Sequence, residues 1–357
     1  MAPTLVYLQR RSQKAGAQTC LARLVRNPCL ARFNPTVICG EYGWLTTELK
    51  RSGVRFFVQP FPSSRSLLAR LWANERFATR LAQQLRPLGQ YFLVHGNDHQ
   101  EGILTISLAH KLGASTAIFL RSPHMTIKDY KKYKCAKIKA VITVSHELMD
   151  RLAVWDPNKM FRVVSDGIYP EEIAGSFKQS VDRPCRFIVL GSPLKSKGWR
   201  DLVDALHLLR VRGFALDGLS FDFTGVEPGS QNDLDLGRLA GIPIRFLGRR
   251  DDFPALLAGY DFAINPSHHE TFGMAAVETI AMGVPLLSSR TGVMPDLVDP
   301  HLLYSPGDVH GLSDKLGLVI NSPTPSSESL KALQRNLLFR YNITNSAKTL
   351  AEIYDEQ

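Results

Sequence analysis

A chain of 357 residues exceeds the size at which one hydrophobic core keeps growing, so two domains of roughly 150 to 180 residues are expected. Apolar residues at 44% and charged residues at 21% exclude a disordered, fibrous or collagen-like chain. The formal net charge of +10 is unevenly spread: residues 1–168 hold 25 Lys and Arg against 10 Asp and Glu, and the remainder 18 against 23, so the first half is basic and the second slightly acidic.

The opening, MAPTLVYLQRR, puts its arginines after its apolar stretch, the reverse of a secretory leader, and no run of about 18 apolar residues follows; neither a signal peptide nor a membrane span is expected. From there short β-branched or aromatic runs alternate with polar or glycine-containing breaks and helix-period segments, the pattern of a parallel sheet with helices on its faces. Strands are predicted over 4–9, 35–39, 54–59, 91–95, 115–120 and 139–144, with helices over 16–27, 44–51, 64–86, 101–112 and 146–154. Six strands with right-handed crossovers make a Rossmann-like sheet. Late in this half Lys128, Lys131, Lys132, Lys134, Lys137 and Lys139 interleave with Tyr130, Tyr133 and Ile138. Two readings stand: a solvated helix face, or a site for an anionic partner such as a membrane surface, a phosphorylated acceptor or, ranked last, nucleic acid. Cys20, Cys29, Cys39, Cys135 and Cys185 are odd in number and form no C-x-x-C pair, so free thiols in a reducing cytosol are expected.

Residues 169–184, with two prolines and no periodicity, read as a linker. The alternation then restarts, with strands over 186–191, 219–224, 243–247, 261–265 and 284–288 and helices over 198–211, 232–240, 253–258 and 273–282. Beyond the polar SPTPSSES stretch, an apolar-periodic segment over 344–355 makes 341–357 a terminal helix expected to pack on the first domain. Open α/β sheets bind ligands outside the carboxyl ends of their strands, so two of them suggest a cleft enzyme that joins two substrates.

The segment Asp261–Gly292, DFAINPSHHETFGMAAVETIAMGVPLLSSRTG, concentrates the chemistry. A strand leads into a polar turn, Asn265 to His269, and Phe272-Gly273-Met274 open a helix that ends at Gly283 before Pro285. The N–H groups and positive dipole end at Phe272 to Met274 make an anion site suited to a diphosphate. Glu270 would repel phosphate and suits sugar hydroxyls, as a hydrogen-bond acceptor. Met274, Val277 and Ala281 form the expected buried stripe, with Glu278 on nearly the same side; a carboxylate there is costly unless vicinal ribose hydroxyls satisfy it or it caps or faces solvent.

These residues resemble the retaining GT-B glycosyltransferases of glycosyltransferase family 4. That family's N-P-S-x-x-E-x-F-G-x-x-x-x-E-x-x-A-x-G-x-P pattern is met by Asn265, Pro266, Ser267, Glu270, Phe272, Gly273, Glu278, Ala281, Gly283 and Pro285. Residues 189–206 (VLGSPLKSKGWRDLVDAL), 246–264 and 289–298 extend the resemblance. It implies the GT-B architecture, two Rossmann-like domains facing across a cleft: 1–168 binding the acceptor, 185–340 the nucleotide sugar, and the terminal helix returning to the first domain. It also implies transfer of a sugar from a nucleotide diphosphate sugar to an acceptor hydroxyl, with retained configuration and an oxocarbenium-like transition state.

By that resemblance Glu270 contacts the donor sugar's hydroxyls, Lys197 neutralises the leaving diphosphate, and Glu278 holds the ribose. Thr271 and the amides of Phe272, Gly273 and Met274 would meet the sugar or diphosphate, with Gly191, Ser192 and Lys195 completing the donor loop. Ser192 stands where the family usually has an arginine, and Lys195 is the substitute cation. Ala15 and Gly16, in QKAGAQTCLARL, resemble the family's glycine loop, although Gly16 fits a plain helix start equally well. For the family's histidine near the transferred sugar, the segment LRSPHMT offers Arg121, Ser122 and His124, of which His124 is the preferred catalytic match; His95 in LVHGND is a second candidate, although a lone histidine there is more often structural. No metal or other cofactor is expected, since Asp233-Leu-Asp235 lies in a helix-like stretch and not at a strand end. The basic first domain favours an anionic acceptor or a cytoplasmic membrane face, and the resemblance to the family implies bacterial envelope glycan assembly, such as lipopolysaccharide or a glycolipid, at a cytoplasmic or peripheral membrane location. A GT-B epimerase or phosphorylase would lack the full pattern, and a polyanion-binding or nucleic-acid-binding module would leave it unexplained; no nucleic acid partner is expected.

Overall fold

The structure, a computed structural model, describes residues 4–63, 67–173, 180–192, 194–225, 234–248, 250 and 252–357. The chain forms two compact units, one of Met1–Tyr169 with Tyr341–Gln357 and one of Pro170–Arg340. Both are α/β.

Unit 1 holds seven strands, β1 (Thr4–Gln9), β2 (Thr36–Cys39), β3 (Arg55–Val58), β4 (Tyr91–Gly96), β5 (Ser115–Leu120), β6 (Ala140–Thr143) and β7 (Phe161–Val163). They pair in parallel in the order β3-β2-β1-β4-β5-β6-β7. All six residues of β1 are buried, which is why its centre, Leu5 to Leu8, is a continuous apolar run: helices cover both faces of a parallel sheet. Val6, Leu8, Ile38 and Val94 meet Leu81, Leu85, Leu104 and Leu108 in one core layer. The sequence predicts six strands; β7 is the seventh, and its three half-buried residues are too short to give a pattern.

The chain leaves unit 1 after Tyr169 and re-enters at Tyr341, where Ile168 N–H donates to Tyr341 O (3.0 Å) and Ile343 N–H donates to Ile168 O (3.1 Å). A Cβ on Gly167 would lie 2.7–2.9 Å from the backbone of Tyr341 and Ile343, so only glycine fits this crossing. The helix Ile343–Asp355 then buries Ile343, Ala347, Leu350 and Ile353. Near its end the Tyr354 hydroxyl meets Tyr7 Oη (2.8 Å) and His95 Nδ1.

Unit 2 holds β8 (Arg186–Val189), β9 (Ser220–Phe223), β10 (Ile244–Phe246), β11 (Phe262–Asn265), β12 (Leu286–Ser289) and β13 (Leu303–Tyr304), all parallel, in the order β10-β9-β8-β11-β12-β13. Its core is aromatic: Phe187 stacks on Phe221 with centroids 4.9 Å apart, and Trp199 meets Phe223 edge-on at 4.9 Å. In each sheet the order reverses beside the first strand, leaving a switch-point crevice between β1 and β4 and between β8 and β11.

Three further expectations change. Over 232–240, residues through 233 lie outside the described residues, and the remainder forms a 3-10 turn, Leu236–Leu239, instead of an α-helix. The SPTPSSES stretch is no simple break, because Ser326 Oγ accepts from Ser329 N–H (3.2 Å) at the start of a helix, Ser327–Arg340, that the polar composition hides. The lysines at 128–139 do not share one helix face: a short helix, Ile127–Lys132, gives way at Lys134 (φ +58°) to a 3-10 turn, Cys135–Lys137. The five cysteines are free thiols, and burial raises those of Cys39 and Cys135 to about 11 and 12. No helix among the described residues is long and apolar enough to cross a membrane.

Candidate functional site

The crevice of unit 2 is built from the segments leaving β8 and β11. Leu190 N–H donates to Ile264 O (2.9 Å), holding the two strand ends together. Gly191 (φ +119°) then turns the chain, and Gly225 (φ +72°) approaches so closely that a Cβ on it would overlap Gly191 O. Past Ser192 a 3-10 turn, Lys195–Lys197, leads through Gly198 into the helix Trp199–Val211. That helix is rooted by Trp199, whose Nε1–H donates to Leu190 O (3.1 Å).

From β11, Asn265 donates through Nδ2 to Ser288 Oγ (3.0 Å), and Ser289 Oγ–H donates to Ser267 O (2.5 Å). The Ser267 hydroxyl is fully buried and finds no partner among the described residues. His268 N–H donates to Ser196 O (2.8 Å), and Gly198 (φ +64°) packs on the Pro266 carbonyl so tightly that a Cβ would overlap it. The two segments are therefore in backbone contact, and across them Lys197 Nζ lies 2.5 Å from Glu270 Oε1. Both side chains keep about a fifth of their surface open to solvent (21% and 17%), so this ion pair is reachable from outside. Beside it, His268 Nε2–H donates to Asp201 Oδ2 (2.5 Å).

Thr271 is half-buried, and the Phe272 side chain is core. Gly273 (φ +97°) turns the chain into the helix Met274–Ala281, whose first-turn N–H groups have no earlier turn to bond within the helix. Gly292 packs on the Phe272 carbonyl, which accepts from Val293 N–H (3.1 Å). The expected stripe of Met274, Val277 and Ala281 is corrected: Ala276, Val277, Thr279, Ile280 and Ala281 are buried, while Met274 and Glu278 are half-buried. The reason is a second cover, the helix Ser327–Arg340, whose Gln334 Nε2–H donates to Ala281 O (2.7 Å).

Unit 2 thus brings together Lys197, Glu270, Gly191, Ser192 and Lys195 around one crevice, with the Thr271–Met274 turn following Glu270. Ala15, Gly16 and His124 belong to unit 1. Gly16 is the first residue of the helix Gly16–Val25 with Ala15 extended before it, and His124 is exposed in the turn after β5. His95 is fully buried between Tyr7 and Phe119 and bonded to Tyr354; burial drives its pKa well below the ordinary histidine value, so it is a neutral packing residue. Asp233 lies outside the described residues, and no group of three or more His, Cys, Asp or Glu among the described residues could hold a metal ion.

The crevice of unit 1 holds a polar cluster that sequence reasoning did not find. Asn97 donates through Nδ2 to Gln9 Oε1 (2.5 Å) and Ala17 O (3.3 Å). Arg10 Nε lies 3.8 Å from Glu101 Oε1, and Arg121 pairs with Asp166. Burial, seconded by the Asp98 charge, pushes the Glu101 carboxyl up to about 7 against the pull of Arg10. Burial would raise Asp98 as well, but the bonds and charge of His99 outweigh it and hold Asp98 below its usual value.

Residues 184–322, which include Lys197, Glu270 and Glu278, match the family described as glycosyl transferases group 1. Glycogen synthase of Mycobacterium tuberculosis is 29% identical over 180 residues, 48% of this chain and 42% of that protein. The 2-deoxystreptamine glucosyltransferase of Streptomyces kanamyceticus is 30% identical over 167 residues, 44% of this chain and 42% of that protein. The chain thus spans about two fifths of the length of these curated relatives. The crystal structure of HepE from Anabaena in complex with UDP and glucose superposes with a TM-score of 0.78 at 16% identity, covering 99% of this chain and 100% of that one. The two-unit α/β fold is accordingly that of GT-B glycosyltransferases.

Proposed function

We propose that the protein is a glycosyltransferase that moves a sugar from a nucleoside diphosphate sugar to an acceptor hydroxyl with retention of anomeric configuration. One observation carries the reading: Lys197 and Glu270, 73 positions apart in sequence, meet at 2.5 Å in a switch-point crevice, and Glu270 stands just before a helix amino terminus. An ammonium there neutralises charge on a departing diphosphate, and first-turn amides add donors for the same anion. The Glu270 carboxylate accepts from sugar hydroxyls, and Glu278, on the same helix, accepts from the ribose. The two charges satisfy each other across the crevice, and a donor enters by offering phosphate to the lysine and hydroxyls to the glutamate. The nucleotide and glucose in the HepE crystal structure suit this reading. The departing charge is met by protein groups, and no metal takes part.

The acceptor is proposed to be a bacterial envelope glycan or glycolipid, reached at the cytoplasmic face of an anionic membrane through the basic side of unit 1. There Lys128, Lys131, Lys132, Lys137 and Lys139 are exposed, and Asp129 is engaged by Thr126. Thermal-shift titration with UDP-, GDP-, ADP- and CMP-sugars tests the donor, followed by turnover and product configuration by NMR. No stabilisation by any of them, or activity abolished by EDTA and restored by manganese, contradicts the reading. Co-sedimentation with anionic but not neutral vesicles tests the membrane, and equal partition with both rejects it.

A further inference from the structure

We infer that Asp201 and His268 are positioning residues that fix where Lys197 presents its ammonium. The inference rests on the donor-site reading of Lys197 given above. Lys197 sits on a three-residue 3-10 turn and Glu270 on a loop, and neither element alone fixes a long side chain. Asp201 is different. It lies in the first turn of the helix Trp199–Val211, which is anchored by buried Trp199, Leu202, Val203 and Leu206.

The His268 ring ties the Pro266–Glu270 loop to that helix through the 2.5 Å bond to Asp201. The backbone of the same residue ties the loop to the lysine turn through the 2.8 Å bond from His268 N–H to Ser196 O. His268 therefore bridges the buried-anchored helix and both charged side chains: Ser196, which its N–H contacts, is next to Lys197, and Glu270 follows two residues after the histidine. Gly198 closes the assembly, since its left-handed backbone lets the turn rest on the Pro266 carbonyl with His268 Cδ2 3.3 Å from where a Cβ would stand. The ring donates through Nε2, so a glutamine, whose amide nitrogen reaches a similar distance, keeps the donor, while an alanine removes it.

The experiment measures nucleoside diphosphate affinity by calorimetry on the full chain, using whichever of UDP, GDP, ADP or CDP the wild type binds most tightly, with unfolding midpoints taken in parallel. Lys197→Ala is expected to weaken binding about tenfold or more, as loss of a charge-assisted bond does. Asp201→Ala and His268→Ala are expected to weaken it roughly five- to tenfold, His268→Gln to stay within about twofold of wild type, and Asp201→Ala to add nothing in the Lys197→Ala background. Wild-type affinity in Asp201→Ala and His268→Ala, alongside a weak Lys197→Ala, overturns the positioning role and leaves the donor site standing. Equal losses that add in the double variant, or a His268→Gln as weak as His268→Ala, also overturn it, because they mark a general structural bond. A Lys197→Ala that binds normally, or a wild type that binds none of the four, overturns the donor-site reading instead.

Discussion

The two switch-point crevices share a scaffold and differ in depth. Each lies beside the first strand of a parallel sheet of the same strand order, and each pairs a basic side chain from the first strand's loop with a glutamate from the fourth. In unit 1 the glutamate, Glu101, is 3% exposed and stands 3.8 Å from Arg10, so burial outweighs the arginine and the acid is pushed up to about 7. In unit 2 Glu270 is 17% exposed and stands 2.5 Å from Lys197. The lesson is that position in the topology does not set how deeply a crevice acid lies: the unit 1 glutamate is sealed from solvent, while the unit 2 glutamate keeps contact with it.

The largest test of this contrast is catalytic. Lys197→Ala or Glu270→Gln lowers kcat by about 10²–10³-fold with the unfolding midpoint unchanged, whereas Glu101→Gln leaves kcat far less affected. Comparable losses at both crevices would break the distinction. Next comes pH. Glu101 binds a proton more tightly folded than unfolded, so its contribution to stability is complete below about pH 4.5 and is lost as pH rises to about 7. Chemical denaturation across that window shows a decline of the order of 3 kcal/mol from this group, and Glu101→Gln flattens it. Gly198→Ala costs about 2 kcal/mol, through its positive φ and its overlap with the Pro266 carbonyl, and it loosens the lysine turn. Tyr354→Phe, which removes the hydroxyl shared with Tyr7 and His95, costs about 1 kcal/mol in unit 1 and leaves nucleotide affinity alone.

Legibility followed chemistry that is contiguous in the chain. β1 and β5 were readable to the residue because each centres on a β-branched and apolar run, LVYL and AIFL, that is buried in the sheet. β7 and β13, at three and two residues, are too short to repeat the two-residue strand alternation, and the helix Ser327–Arg340 was hidden behind the serines that start it. The Asn265–Pro285 pattern was visible because its residues follow one another. The Asp201–His268 bond spans 67 positions, and neither residue type is unusual where it stands, so no local signal marks it. The unit 1 cluster was equally silent: Gln9, Arg10, Asn97 and Glu101 come together only once β4 is placed beside β1.

The helix that finishes unit 1 is also the last part of this sequence to be synthesised. Tyr7 and His95 are polymerised early, yet the hydroxyl that bonds both belongs to Tyr354, 259 residues after the histidine. All of unit 2 emerges from the ribosome in between, and domains fold as units during synthesis. The second sheet can therefore complete its core while the first still waits for a missing helix. Stalling or trimming the chain near residue 341 would leave the late-made sheet whole and the early-made one open.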